Sequence, residues 1–99
     1  MERISAKKAL YEYPWAKKRN APEDAAIIHA VENAMDEQSK RVNGEARIRM
    51  MEMKYFRKTH TLLGVAMECN YSPEIVKRWN SDLLSAVNMA LRYEQKETE

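Results

Sequence analysis

Apolar residues recur along this chain at three- and four-residue intervals rather than in alternation, a pattern that predicts helices throughout. Ile4, Ala6, Leu10 and Tyr13 mark one face of a first helix over about Ser5 to Tyr13. Pro14 removes a backbone donor and disfavours helical geometry at Tyr13, so that helix is expected to end, bend or restart there. Pro22 suits the first turn of a second helix, with Glu23 and Asp24 at the positive end of its dipole. Ile28, Val31 and Met35 form its apolar stripe, with Ala21, Ala25 and Ala34 alongside. It is expected to run to about Arg41 and to stop near Asn43 and Gly44, which tolerate left-handed backbone. A third helix is predicted over about Glu45 to Phe56, with Ile48, Met51 and Tyr55 on one stripe. A polar connector, Arg57 to His60, follows it.

Residues 61–81 carry the most local information. Thr61 is placed to cap a helix containing Leu62, Val65, Ala66 and Cys69. Asn70 accepts a left-handed turn better than any residue but glycine. Ser72, Pro73 and Glu74 then supply an N-cap, a first-turn proline and an acidic second position. Two helices joined this tightly must cross steeply, which is the geometry of a helix-turn-helix. Ala66 falls where the axes approach, while Val65, Cys69, Tyr71, Val76 and Trp79 fall where such a motif needs apolar contacts. Leu83, Leu84, Val87, Ala90 and Leu91 extend the stripe of the second motif helix to about Tyr93, and the charged tail from Glu94 is expected to fray. That extension serves core packing or pairing with another chain. A plain helical hairpin without a ligand would use the same pattern.

The fold expected is therefore all-α: a small helical bundle with a C-terminal helix-turn-helix whose second helix is long. At 99 residues the chain is one domain, with N-terminal helices over 1–41 and the motif part over 45–93. Only 2 glycines and 3 prolines agree with helix. No apolar run is long enough to span a membrane, and no signal peptide is read at the N-terminus. One cysteine, Cys69, with His29 and His60, gives no metal-ligand spacing and no nucleophile–base pair, so neither cofactor, metal nor catalysis is expected.

The net charge of +2 conceals block patterning. Residues 1–20 carry 6 Lys/Arg against 2 acidic groups, residues 21–39 carry 5 acidic groups and no Lys or Arg, and residues 40–60 carry 7 Lys/Arg against 2 Glu. One basic face, or simply two solvated ones, follows from this arrangement. In a helix-turn-helix the second helix enters the major groove with its N-terminal residues at base edges. With Val76, Trp79 and Leu83 assigned to the core, Ser72, Glu74, Lys77, Arg78 and Ser81 face outward as candidate DNA contacts. Lys77 and Arg78 can donate to guanine or phosphate, and Glu74 can accept from cytosine. Arg47, Arg49, Arg57 and Lys58 are candidate phosphate contacts, holding register without reading sequence.

The run Ile48-Arg49-Met50-Met51-Glu52-Met53-Lys54-Tyr55-Phe56, followed by Tyr71-Ser72-Pro73-Glu74-Ile75-Val76-Lys77-Arg78-Trp79, resembles region 4 of sigma factors. It is more closely similar to the small phage transcriptional regulators of the ArpU and RinA type. The N-terminal Leu10-Tyr11-Glu12-Tyr13-Pro14 with Lys17-Lys18-Arg19 also resembles the start of those proteins. The resemblance implies a regulator of late phage or prophage genes in the bacterial host cytoplasm. Its partners would be double-stranded DNA and RNA polymerase, and such a regulator would be a monomer or a homodimer. Two other functions fit the residues: the DNA-recognition subunit of a phage packaging machine, and a helical adaptor that binds protein and not DNA.

Overall fold

In the computed structural model, which describes residues 4–97 and side chains as far as Glu94, five α-helices make up most of the chain and no strand occurs among the described residues. They are α1 (Ala6–Arg19), α2 (Ala25–Ser39), α3 (Gly44–Met51), α4 (Leu62–Cys69) and α5 (Pro73–Glu97). A 3₁₀ turn, Pro22–Asp24, leads into α2, and a π-helical turn, Glu52–Phe56, continues α3. The all-α expectation holds. The long α5 packs most extensively against α2, and also against α1, α3 and α4. Its buried stripe of Val76, Trp79, Leu83, Val87 and Leu91 meets Ala9 and Leu10, Ala30, Val31 and Ala34, and Met50 and Met51 in one core. Core packing thus accounts for the length of α5 on one side. It stays helical to Glu97, past Glu94 where fraying was expected; residues 1–3 and 98–99 lie outside the described residues.

Three local outcomes differ from expectation. Pro14 does not interrupt α1, which runs unbroken to Arg19. A mid-helix proline costs about 3 kcal/mol, and contacts on both sides of it offset that. Ala6, Ala9 and Leu10 are buried before it and Ala16 after it. The Tyr13 hydroxyl donates to Glu32 at 2.7 Å, and the Tyr13 ring lies 5.0 Å from that of Phe56. The second predicted helix begins as a 3₁₀ turn, because the Asp24 carboxylate turns back to accept from the Ala21 backbone N–H at 3.0 Å. The third helix widens after Met51. The Arg57 N–H donates to the Glu52 carbonyl at 2.7 Å, five residues back. The Thr59 N–H then closes on the Met53 carbonyl at 2.9 Å. This widening lets Met53 and Tyr55 both be buried, and sets the Tyr55 ring edge-on to Tyr11 at 5.0 Å.

Left-handed asparagines end α1 and the α2–α3 turn, Asn20 at φ 51° and Asn43 at φ 62°. Asn43 was expected there. The adjacent Gly44 has ordinary φ but sits so close to the end of α2 that a Cβ would lie 2.1 Å from the Ser39 carbonyl oxygen. At Gly64, in α4, a Cβ would meet nothing nearer than the Thr61 hydroxyl at 3.4 Å.

Charge ties the N-terminal helices together. The Arg19 guanidinium grips Asp24 through two bonds of 2.9 and 2.6 Å, and Lys17 reaches Glu32 at 2.6 Å. The Arg19 hydrogen bonds hold the Asp24 carboxyl below its ordinary pKa, and Lys17, then Tyr13, do the same for Glu32. The burial of the Tyr13 ring, reinforced by Glu32, pushes its hydroxyl up to about 12, so it remains a neutral donor.

Two predictions follow from this packing. Gly44→Ala should lower stability by roughly 2 kcal/mol through forced separation of α2 and α3, whereas Gly64→Ala should raise it by about 0.5–1 kcal/mol through helix propensity; urea denaturation of the two variants reads both signs. Asp24 has a depressed folded-state pKa, so its contribution is present above the unfolded value near about 4 and is lost as pH falls through the folded one. Asp24→Asn should therefore melt earlier than wild type at neutral pH, with the gap closing on acidification through the carboxylate range.

Candidate nucleic-acid interface

Short-range chemistry builds the junction of α4 and α5. The Thr61 hydroxyl accepts from the Gly64 N–H at 3.1 Å and starts α4. Asn70, at φ 62° and ψ 43°, ends it, its N–H returning to the Ala66 carbonyl. The Tyr71 N–H reaches the same carbonyl at 3.0 Å. Ser72 then caps α5, its hydroxyl accepting from the Ile75 N–H at 3.3 Å, with Pro73 in the first turn. Only residues 70–72 separate the helices. Val65 and Ala66 on one side and Val76 and Trp79 on the other are buried, and Tyr71 packs edge-on to Trp79 with centroids 4.8 Å apart.

The outer side of this junction is open. Ser72, Glu74, Lys77, Arg78 and Ser81 are all exposed. Glu74, Lys77, Arg78 and Ser81 share one face because they stand three and four residues apart on a helix. Among the described residues, neither Lys77 nor Arg78 has a carboxylate within salt-bridge distance. The face combines two cations, an acceptor carboxylate and two hydroxyls at a capped helix N-terminus, a set suited to hydrogen bonding with base edges or phosphates.

The flanking cations divide sharply. Arg57 is exposed and only loosely paired with Glu52, at 3.9 Å. Lys58 is exposed in a left-handed conformation at φ 59°, its ammonium 5.7 Å from the centre of the Tyr11 ring. Lys54, not among the candidate contacts drawn from sequence, adds a second ammonium there, 3.2 Å from the Tyr11 hydroxyl and 5.1 Å from the Tyr55 ring centre. No sequence periodicity connects residue 11 to residues 54 and 58; the π-helical turn does so in space. Arg49 is exposed beside the junction and lines, with Glu45, Ala46, Cys69 and Tyr71, an open cleft of about 420 Å³.

Arg47 requires correction. Expected as a phosphate contact, it is buried at 8% exposure and occupied internally. Its guanidinium donates to the Val42 carbonyl at 3.0 Å, the Gln38 side-chain oxygen at 2.8 Å and the Asp82 carboxylate at 3.0 Å, and lies over the Trp79 ring. The cause is the tight turn at Asn43–Gly44, which brings the first turns of α3 against the end of α2 and the middle of α5. Tyr55 also joins this interior, its hydroxyl donating to Asn80, and burial pushes that hydroxyl up to about 12.

The acidic block of residues 21–39 neutralises part of both basic blocks. Lys17 and Arg19 are paired with Glu32 and Asp24, and Lys40 and Arg41 with Asp36 and Glu37. Lys18 lies over the exposed Trp15 ring at 5.9 Å. Among the described residues, Lys7, Lys8 and Lys18 on α1 and Arg92 near the end of α5 are also without a carboxylate partner, while Arg49, Lys54, Lys58, Lys77 and Arg78 form the unpaired set on α3, the turn after it and the start of α5. His60 bridges Thr59 and Glu68, at 2.7 and 3.1 Å, and fixes the connector onto α4. No family model, curated protein or solved structure matches this chain.

Arg47→Ala should cost about 3 kcal/mol, because it leaves Asp82 and Gln38 short of partners in the interior. Arg57→Ala, by contrast, should shift stability by less than about 0.5 kcal/mol. Chemical denaturation of the two variants separates a structural arginine from a surface one.

Proposed function

We propose that this chain binds double-stranded DNA, with α4 and α5 acting as a helix-turn-helix and the start of α5 lying in the major groove. The observation that carries this reading is the exposed Glu74–Lys77–Arg78–Ser81 face at the capped N-terminus of α5. Its two cations have no internal partners, and the helix beneath it is fixed by Trp79, Val76 and the Arg47 network. In this arrangement Arg78 and Lys77 donate to guanine edges or phosphates, and Glu74 accepts from the amino group of cytosine. Arg49, Arg57, Lys58 and Lys54 supply sequence-independent phosphate contacts. Arg47 is not one of them.

The biological role that the sequence resemblance suggests is transcriptional regulation of late phage or prophage genes, in the manner of ArpU- and RinA-type proteins. RNA polymerase would be a second partner, and the bacterial cytoplasm the place of action. Among the described residues no helix is long and apolar enough to cross a membrane. A protein-binding adaptor is the competing reading. It is favoured by Leu63 and Met67, which stand one turn apart on α4 and are exposed at 58% and 75%.

Duplex binding by the purified protein, titrated across a salt series, separates the two. Affinity should fall linearly with salt on logarithmic axes, with a slope that counts the neutralised phosphates. Replacing Lys77 and Arg78 together by alanine should weaken binding by about 2–4 kcal/mol in total without changing the melting temperature. Unchanged duplex affinity in that variant sinks the groove assignment, and no salt-dependent binding by the wild type leaves the adaptor reading standing.

A further inference from the structure

Helix α5 carries a second stripe beside the core stripe, in which Ala86 packs on the edge of the core, Asp82 holds Arg47, and Met89 and Tyr93 face outward. Asp82, Ala86, Met89 and Tyr93 follow one another at four-, three- and four-residue spacing, the seam spacing of paired helices. Met89 is 71% exposed and Tyr93 66% exposed, although both are large and largely apolar. Beside them runs a groove of about 410 Å³ between α2 and α5, floored by Ala34, Ser85, Ala86 and Ala90 and edged by Arg41 and Asp82. Large protruding side chains and a hollow of small residues thus lie side by side on one surface.

We infer that two copies of this chain pair by laying these stripes antiparallel across a twofold axis between residues 87 and 88. In a twofold contact each residue meets a fixed counterpart. An axis at that point sets Met89 against Ala86 of the second copy. The same axis sets the Tyr93 hydroxyl opposite the half-buried Asp82 carboxylate of the second copy. A protrusion meets a small residue and a donor meets an acceptor in a single register, so the stripe is complementary to itself. The carboxylate of Asp82 is held in place by Arg47 at 3.0 Å, with Arg41 at 3.7 Å.

The pairing also orients the proposed DNA face, and this part rests on the DNA-binding reading above. At 3.6 residues per turn, the Glu74–Lys77–Arg78–Ser81 face lies about 100° around α5 from the pairing stripe. When two helices pair antiparallel, the twofold axis is perpendicular both to the helices and to the line between them. A face a quarter-turn from the contact therefore points along that axis, in the same direction in both copies. The same face is centred between Lys77 and Arg78, 10 residues from the register point, which places the two copies' faces about 30 Å apart at 1.5 Å per residue. Successive major-groove faces of B-DNA are separated by about 34–36 Å, a few ångströms more.

Sedimentation equilibrium of the full chain, alongside Met89→Asp and Ser85→Lys, tests the pairing. Both substituted residues are exposed, so circular dichroism should show unchanged helicity and melting. The wild type is expected to be a dimer at micromolar concentrations and both variants monomers. A wild-type protein that stays monomeric throughout, or variants that both remain dimeric, overturns the inference. Footprinting on a selected duplex should show two protected half-sites about 10–10.5 base pairs apart, with affinity about a hundredfold weaker in the monomeric variants. A dimer with no duplex affinity would uphold the pairing while sinking the DNA-binding reading. A dimer protecting a single half-site would overturn the register.

Discussion

The guanidinium of Arg47 sits where α2, α3 and α5 meet, and the position of the candidate interface depends on it. A buried cation is tolerable when it is paired and hydrogen-bonded. Arg47 engages its Nε with the Val42 carbonyl and its Nη1 with Gln38 and Asp82, and its flat face covers Trp79. Trp79 in turn supports Tyr71 in the turn between α4 and α5. A single side chain thereby connects the close α2–α3 turn, possible because Gly44 presents no Cβ to Ser39, with the orientation of the surface that carries Lys77 and Arg78.

Rigidity beneath an exposed polar face is what a base-reading helix requires, since hydrogen bonds to base edges lose their selectivity when the donors wander. α5 has that support from Val76 to Leu91. Its N-terminal turns are held by α4 and Trp79, its middle by Arg47 and Tyr55, and its later turns by α2. The tyrosines take part in this without charge. Tyr55 and Tyr13, both with hydroxyls pushed up to about 12, stay neutral donors to Asn80 and Glu32 at any physiological pH.

Electrostatics is organised by subtraction. The acidic side of α2 engages Lys17, Lys40 and Arg41, and Asp24 engages Arg19, so much of the positive charge written into the chain is neutralised within the bundle. What remains lies partly on α1, at Lys7, Lys8 and Lys18, and at Arg92, with a larger group on α3, the π-helical turn and its connector, and the first turns of α5. Lys54 and Lys58 approach the same tyrosine ring from residues four apart, without a carboxylate partner for either among the described residues. A chain of small net charge can in this way keep one locally positive region.

Local chemistry was legible in the sequence wherever a few adjacent residues settle it. Thr61, Asn70, Ser72 and Pro73 cap and punctuate α4 and α5 as their residue types require, and the Val76–Trp79–Leu83–Val87–Leu91 stripe is buried as its spacing requires. Asn43 takes left-handed backbone for the same reason. Contacts between distant residues decided the rest. Pro14 forbids a continuous helix by local rules, yet burial on both sides of it and the Tyr13–Glu32 bond outweigh one missing hydrogen bond. The widened turn after Met51 comes from the fit of Met53 and Tyr55 into the core. Arg47 looked like its neighbour Arg49, since charge and helix position are nearly the same for both. Only the packing of α2 and α5 around α3 makes one a buried tie and leaves the other facing solvent, because the cost of desolvating a guanidinium depends on partners that lie 9 and 35 residues away.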